Sequence, residues 1–176
     1  SGATSFASAV GGNSALTSLT TDAGGTVSLK NVTTSGAQSY GENATLAGTY
    51  TTTNSGVTLG GATTLAGDTT LATGSGAVGF AGAVNGAKAL AVNSSGATSF
   101  ASAVGGTSAL TSLATDAAGT VSLKSVTTSG AQTYGENATL AGTYTTTNAA
   151  VTLAGATTLA GDTTLATGTG AVAFTG

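Results

Sequence analysis

The chain contains no cysteine, methionine, tryptophan, proline or histidine, and its 176 residues include no arginine and no isoleucine either. Each absence removes a mechanism. Without histidine or cysteine there is no Ser/His/Asp triad, no thiolate nucleophile, no CxxC redox pair and no zinc site made from the usual ligands. Disulfide staples are ruled out, although a cysteine-free chain fits both the cytosol and the exterior. Charge is scarce too: charged residues make up 5% of the chain, against about 25% in ordinary soluble domains. Three scattered lysines do not form the basic patch that a phosphate backbone requires, so nucleic acid is not an expected partner. No apolar run approaches about 18 residues, so no membrane span is expected. No charged stretch leading into an apolar one opens the chain, so a secretion leader is not expected within this segment.

What remains is small and apolar. Hydrophobic residues supply 40% of the chain, mostly Ala, Val and Leu, with four Phe and four Tyr. A net charge of -3 with that much apolar material is not the composition of a disordered chain. Side chains this small can fill only a narrow interior, layer upon thin layer, as in the coils of a solenoid.

The dominant feature is repetition. The string SGATSFASAVGG at Ser1 to Gly12 returns at Ser95 to Gly106, a period of 94 residues, and 11 of the 82 positions that can be compared differ. Most changes preserve shape, as in Asn13 to Thr107, Gly24 to Ala118, Asn31 to Ser125 and Gly79 to Ala173. Residues 1–94 read as one complete unit and 95–176 as a truncated second copy, continuous with the first and joined by no linker. Because the second copy stops in mid-phrase, further copies are expected in the parent protein.

A finer period lies inside the unit. Aligning Gly76 with Gly96 places Phe80 on Phe100, Val84 on Val104, Gly86 on Gly106 and Leu90 on Leu110. That spacing, about 20 residues, is a suitable length for one solenoid coil. Triplets with alternating apolar residues occur at Val27/Leu29, Val57/Leu59, Val78/Phe80, Val121/Leu123, Val151/Leu153 and Val172/Phe174. Period two marks a strand with one buried face. Gly11-Gly12, Asn54-Ser55-Gly56, Gly74-Ser75-Gly76 and Asn85-Gly86 punctuate the triplets as turns. The triplet spacing is uneven, 30 residues from Val27 to Val57 but 21 from Val57 to Val78, which leaves four or five coils per repeat. Short strands at such intervals also suit a sandwich or barrel. A unit copied this closely favours stacking like on like, and the expected fold is an all-β parallel β-helix, a β-solenoid. At about 4.8 Å per coil, one unit should rise roughly 19 to 24 Å.

The phrases from Val78 to Ala87, Phe100 to Leu113 (FASAVGGTSALTSL) and Thr127 to Tyr134 (TTSGAQTY) give the chain its character. Over its whole length it resembles the repeat regions of giant bacterial surface proteins of the filamentous-haemagglutinin and autotransporter-adhesin type. The resemblance implies an exported, right-handed parallel β-helix at the bacterial cell surface, acting as a stalk in adhesion or biofilm formation.

Candidate chemistry is thin. Asp22, Glu42, Asp68, Asp116, Glu136 and Asp162 could be a glycosidase pair or bridge calcium between neighbouring coils. They are isolated by about 20 residues and lack the DxDxDG and GGxGxD patterns of calcium loops, so they read as turn and solubilising residues. Lys30, Lys88 and Lys124 read as charges that discourage sheet-edge pairing, with an isopeptide bond as the sharper alternative. Tyr40, Tyr50, Tyr134 and Tyr144 are core or wall filler, or a platform for sugar rings. Asn31, Asn43, Asn93 and Asn137 begin N-x-S/T acceptor patterns, which a Thr-rich chain produces by chance.

The best candidate ligand face is a threonine array. Thr49, Thr51 and Thr53, with Thr143, Thr145 and Thr147 in the second copy, alternate along a strand and could bind ice, or a glycan. The same residues also simply suit a sheet. Three functions follow. The first is a structural or adhesive fibre segment that stacks end to end into filaments, with a host or cell-surface glycan or protein as partner. The second is a ligand-binding face on the same scaffold. The third, a polysaccharide lyase, lacks the His, Arg and clustered carboxylates such sites use, so no catalytic residue, metal or cofactor is assigned.

Overall fold

The structure is a computed structural model that describes residues 2–176. Those residues form twenty β-strands and no helix, and every strand pairing is parallel. The chain winds as a β-solenoid whose each turn carries three short strand positions, here called the first, second and third faces in chain order.

On the first face the inward positions stack as Thr4, Val27, Ala44, Thr63, Val84, Val104, Val126, Tyr144 and Leu165. The second face stacks Val10, Val32, Tyr50, Leu71, Val92, Thr115, Tyr134, Leu153 and Phe174. The third begins at Leu19–Thr21 and runs through Tyr40, Leu59, Phe80 and Phe100 to Leu123, Leu140 and Leu159. Two faces thus have nine levels. Long strands such as Asn43–Thr51 and Asn137–Thr145 serve two faces, bending at Gly48 and Gly142. Both glycines have positive φ, 84° and 97°, where an L side chain is strained, and a Cβ on Gly48 would lie 2.2 Å from the Asn31 Oδ1.

Alternation places the core. Val27 and Leu29 are buried while Thr26, Ser28 and Lys30 are exposed. The interior is one continuous cluster running from Val27 to Leu153. Its widest members are the four tyrosines and Phe80, with Phe100 lying flat on Phe80.

Coil length varies. Seventeen positions separate Thr26 from its partner Asn43, whereas twenty-three separate Gly2 from its partner Gly25. This variation corrects the alignment of Gly76 on Gly96 in one place. Phe80 does pair Phe100 and Val84 does pair Val104, but Leu90 pairs Leu113 rather than Leu110, which lies instead against Thr128. Three additional residues are taken up at the corner after Gly105, so the coil lengthens while its strands stay in register.

The variation also resolves the coil count. Tyr50 lies on the second face, and four coils on, through Leu71, Val92 and Thr115, that face holds Tyr134. Tyr144, the equivalent of Tyr50, comes two faces later still, on the first face. The 94-residue repeat therefore covers four and two-thirds turns, not a whole number, and each copy is rotated by two faces from the one before. The uneven triplets follow directly: Val57 to Val78 is one turn on the third face, whereas Val27 to Val57 runs from the first face to the third.

Candidate functional site

The two threonine triplets point outward as alternation requires, with Tyr50 and Thr52, and Tyr144 and Thr146, turned inward between them. They do not share a face. Thr49 and Thr51 pair Thr70 and Ala72 on the second face, whereas Thr143 and Thr145 pair Thr164 and Ala166 on the first. Thr53 and Thr147 sit at the following corners, exposed, next to Asn54 and Asn148. The two-face rotation per repeat separates copies that look identical in sequence.

A different hydroxyl row emerges on the third face. Thr20, Ser39, Thr58, Gly79, Ser99, Ser122, Thr139 and Thr158 lie in direct register on successive coils, all on the outer side. Its members follow the coil spacing, but unevenly, 20 residues from Gly79 to Ser99, 23 from Ser99 to Ser122 and 17 from Ser122 to Thr139, so no fixed sequence period links them. Only the strand register reveals the row.

The tyrosines are interior, each with its hydroxyl bonded. Tyr50 donates to the Leu29 carbonyl at 3.0 Å and Tyr144 to the Leu123 carbonyl at 3.1 Å, each one coil back. Tyr40 donates to Gln38 Oε1 and Tyr134 to Gln132 Oε1, both at 3.0 Å. The Gln132 amide in turn donates to the carbonyls of Val126 and Thr145 and to the Thr128 hydroxyl. Burial raises the Tyr144 hydroxyl to about 12 and lifts Tyr40, Tyr50 and Tyr134 further, which fits hydroxyls serving as fixed donors. These rings do not reach the surface as a sugar platform.

The Asn side chains, which in sequence suggest only turns and acceptor patterns, brace the corners. Asn31 Oδ1 accepts from the Thr49 N–H at 2.8 Å, Asn43 from Ala62 at 2.9 Å, Asn54 from Ser75 at 3.1 Å and Asn137 from Ala156 at 3.0 Å. Each bond reaches one coil forward. Asp68 does the same for the Ala89 N–H at 3.0 Å. The turn chemistry that favours Asn and Asp thus also ties successive coils.

The remaining acids divide. Asp162 is exposed, and Asp22 Oδ1 accepts from the nearby Gly24 N–H at 3.3 Å. Glu42 and Glu136 are buried, 4% and 3% exposed, and each accepts from a threonine one coil back, Thr21 at 2.5 Å and Thr115 respectively. Asp116 Oδ1 is buried with no hydrogen-bond partner. Lys30, Lys88 and Lys124 are exposed. Among the described residues no three His, Cys, Asp or Glu side chains converge as metal ligands, and no helix is long and apolar enough to cross a membrane.

Protein-family models, curated proteins and solved structures were all compared with the chain, and none matches.

Proposed function

We propose that the chain is a structural segment of an extracellular fibre, of the stalk type seen in bacterial surface adhesins, lengthened by coils stacking on coils. The observation that carries this reading is how the second copy is seated on the first. Val78 and Phe80 of the first copy are each 1% exposed because Thr98 and Phe100 of the second pair directly upon them. Their equivalents Val172 and Phe174, and Leu159 beside them, which no coil of this chain covers, are 41%, 58% and 62% exposed. A surface that the following copy turns into a core layer suits stacking of like on like along one axis.

Electron microscopy and light scattering of the isolated chain test the reading. Filaments should form along the coil axis, and Leu159→Lys with Phe174→Asp should suppress them. A monomer that persists at high concentration without these substitutions would count against the fibre.

A second reading rests on the third-face row from Thr20 to Thr158, where outward hydroxyls recur at every coil except Gly79. A row with the coil spacing of about 4.8 Å suits a periodic ligand, either ice or an extended glycan. Thermal hysteresis that disappears on replacing Thr58 and Ser122 with tyrosine would favour ice, and loss of retention on an insoluble glycan in the same variant would favour the glycan. Neither effect in the parent chain removes the reading.

A further inference from the structure

Gln38 stands in a column of inward side chains that is otherwise apolar: it lies between Leu19 and Val57, with Val78 next in line. Its copy Gln132 lies in the same way between Leu113 and Val151, with Val172 beyond. Both are buried, 1% and 0% exposed, although glutamine ordinarily stays at the surface. A leucine or valine would fill either position with the alternation intact, so nothing in shape or burial requires an amide there.

The amide is fully used. Gln38 Nε2 donates to the Val32 carbonyl at 3.3 Å and the Thr34 hydroxyl at 3.2 Å, both on the preceding face of its own coil, and to the Thr51 carbonyl at 3.0 Å on the next coil. Its Oε1 takes the Tyr40 hydroxyl at 3.0 Å, while the Thr34 hydroxyl donates onward to the Gly36 carbonyl at 2.6 Å. Tyr50, in the coil of Thr51, meets Tyr40 edge to face and donates back to the Leu29 carbonyl. The second copy repeats the set with Gln132, Val126, Thr128, Thr145 and Tyr134, and with Tyr144 bonded to the Leu123 carbonyl. Two coils are thereby tied at named atoms once in each repeat.

The apolar pattern does not supply this precision. Side chains alternate with period two, so a strand displaced by two residues still turns the same set toward the lumen. Corners take up differences in length, since paired positions lie 17 residues apart at Thr26 and Asn43 but 23 at Gly2 and Gly25. A two-residue slip of Val57–Leu59 on Gln38–Tyr40 therefore leaves apolar burial nearly unchanged. It moves the Thr51 carbonyl about 6–7 Å along the strand, out of reach of the amide, and strands a buried donor.

We propose that Gln38 with Tyr40, and Gln132 with Tyr134, are register locks: buried polar pairs that select one seating of a coil on its neighbour where the apolar columns alone permit seatings two residues apart. A polar group in an apolar seam fixes alignment in this way in coiled coils, at some cost in stability. The lock serves a stalk or a ligand face alike, since either needs each coil seated in one register.

The chain has no cysteine, so introduced pairs report the seating. Ser39→Cys with Thr58→Cys joins residues directly opposite in the observed register, whereas Ser39→Cys with Gly60→Cys joins residues two positions out, too far apart for a disulfide. Gly60 accepts a side chain, as Ala154 stands at the equivalent position. After refolding and oxidation, the lock-bearing chain should close the first pair. In Gln38→Leu with Tyr40→Phe the share of the slipped pair should rise about tenfold over that background. The unfolding midpoint should stay at or above that of Tyr40→Phe alone, because both hydrogen-bond partners have been replaced by apolar groups of similar shape. Thr133→Cys with Thr152→Cys, or with Ala154→Cys, reads the second copy against Gln132→Leu with Tyr134→Phe. Closure of the native pair alone in the lock-free chain, with its β-sheet signal retained, overturns the proposal. A lock-free chain that does not fold overturns it too, because the network then serves stability rather than alignment.

Discussion

Phe100 lies on Phe80 with ring centroids 4.7 Å apart and planes 4° from parallel, one coil step along the third face. The tyrosines meet differently, Tyr40 with Tyr50 and Tyr134 with Tyr144, edge to face. Both phenylalanine rings are buried, so the stack is part of the wall-to-wall filling of the lumen. Replacing Phe100 with alanine should remove about 3–5 kcal/mol of stability, measured by chemical denaturation, because both neighbouring coils hold the cavity open.

The tyrosine hydroxyls predict a different outcome. Tyr134→Phe preserves ring volume but leaves Gln132 Oε1 buried without its donor. The expected loss is about 1–3 kcal/mol. Tyr144→Phe should behave alike through the Leu123 carbonyl, and a double variant tests whether the two add.

Glycines at bends and in strands should respond oppositely to alanine. At Gly142, with φ of 97° and the Ser125 Oγ 2.5 Å from an added Cβ, alanine should cost about 1–3 kcal/mol. At Gly79, where an added Cβ meets only the Ser99 Oγ at 3.7 Å, alanine should change stability by less than about 0.5 kcal/mol. The second copy already carries Ala173 at that position. Paired thermal melts check both.

An array of repeats should diffract at about 4.8 Å from the coils. Four and two-thirds coils put successive repeats about 22 Å apart, and identical orientation should recur only after three repeats, about 67 Å. Fibre diffraction or helical reconstruction shows this directly. Successive repeats related by translation alone, with no rotation, would contradict the phase.

The solenoid itself was legible in the sequence, because period-two triplets between Gly and Asn punctuation imply short strands with one buried side. The coil count was not. Val27/Leu29 and Val57/Leu59 look alike because a strand on any face needs the same alternation, so the pattern does not say which face it belongs to. Leu90 aligned on Leu110 for a similar reason: a corner absorbs three residues without altering either strand. The threonine triplets were visible but their separation onto two faces depends on the phase. The third-face row does not stand out in the sequence, since its spacing is uneven, 23 residues from Ser99 to Ser122 but 17 from Ser122 to Thr139. Asn31 suggested only an acceptor pattern and Asn54 a turn, whereas their bonds to the following coil involve partners 18 and 21 residues away, beyond any local pattern.

The rotation of each copy has a mechanical consequence. A prism whose sides differ bends most easily toward its weakest side. In an array of such repeats the chemistry of one side would pass to another with every copy, so weak and strong sides would alternate around the axis and average out within about 67 Å. Over longer distances such an array would have no preferred bending plane, and its stiffness against a sideways load would be the same from every direction.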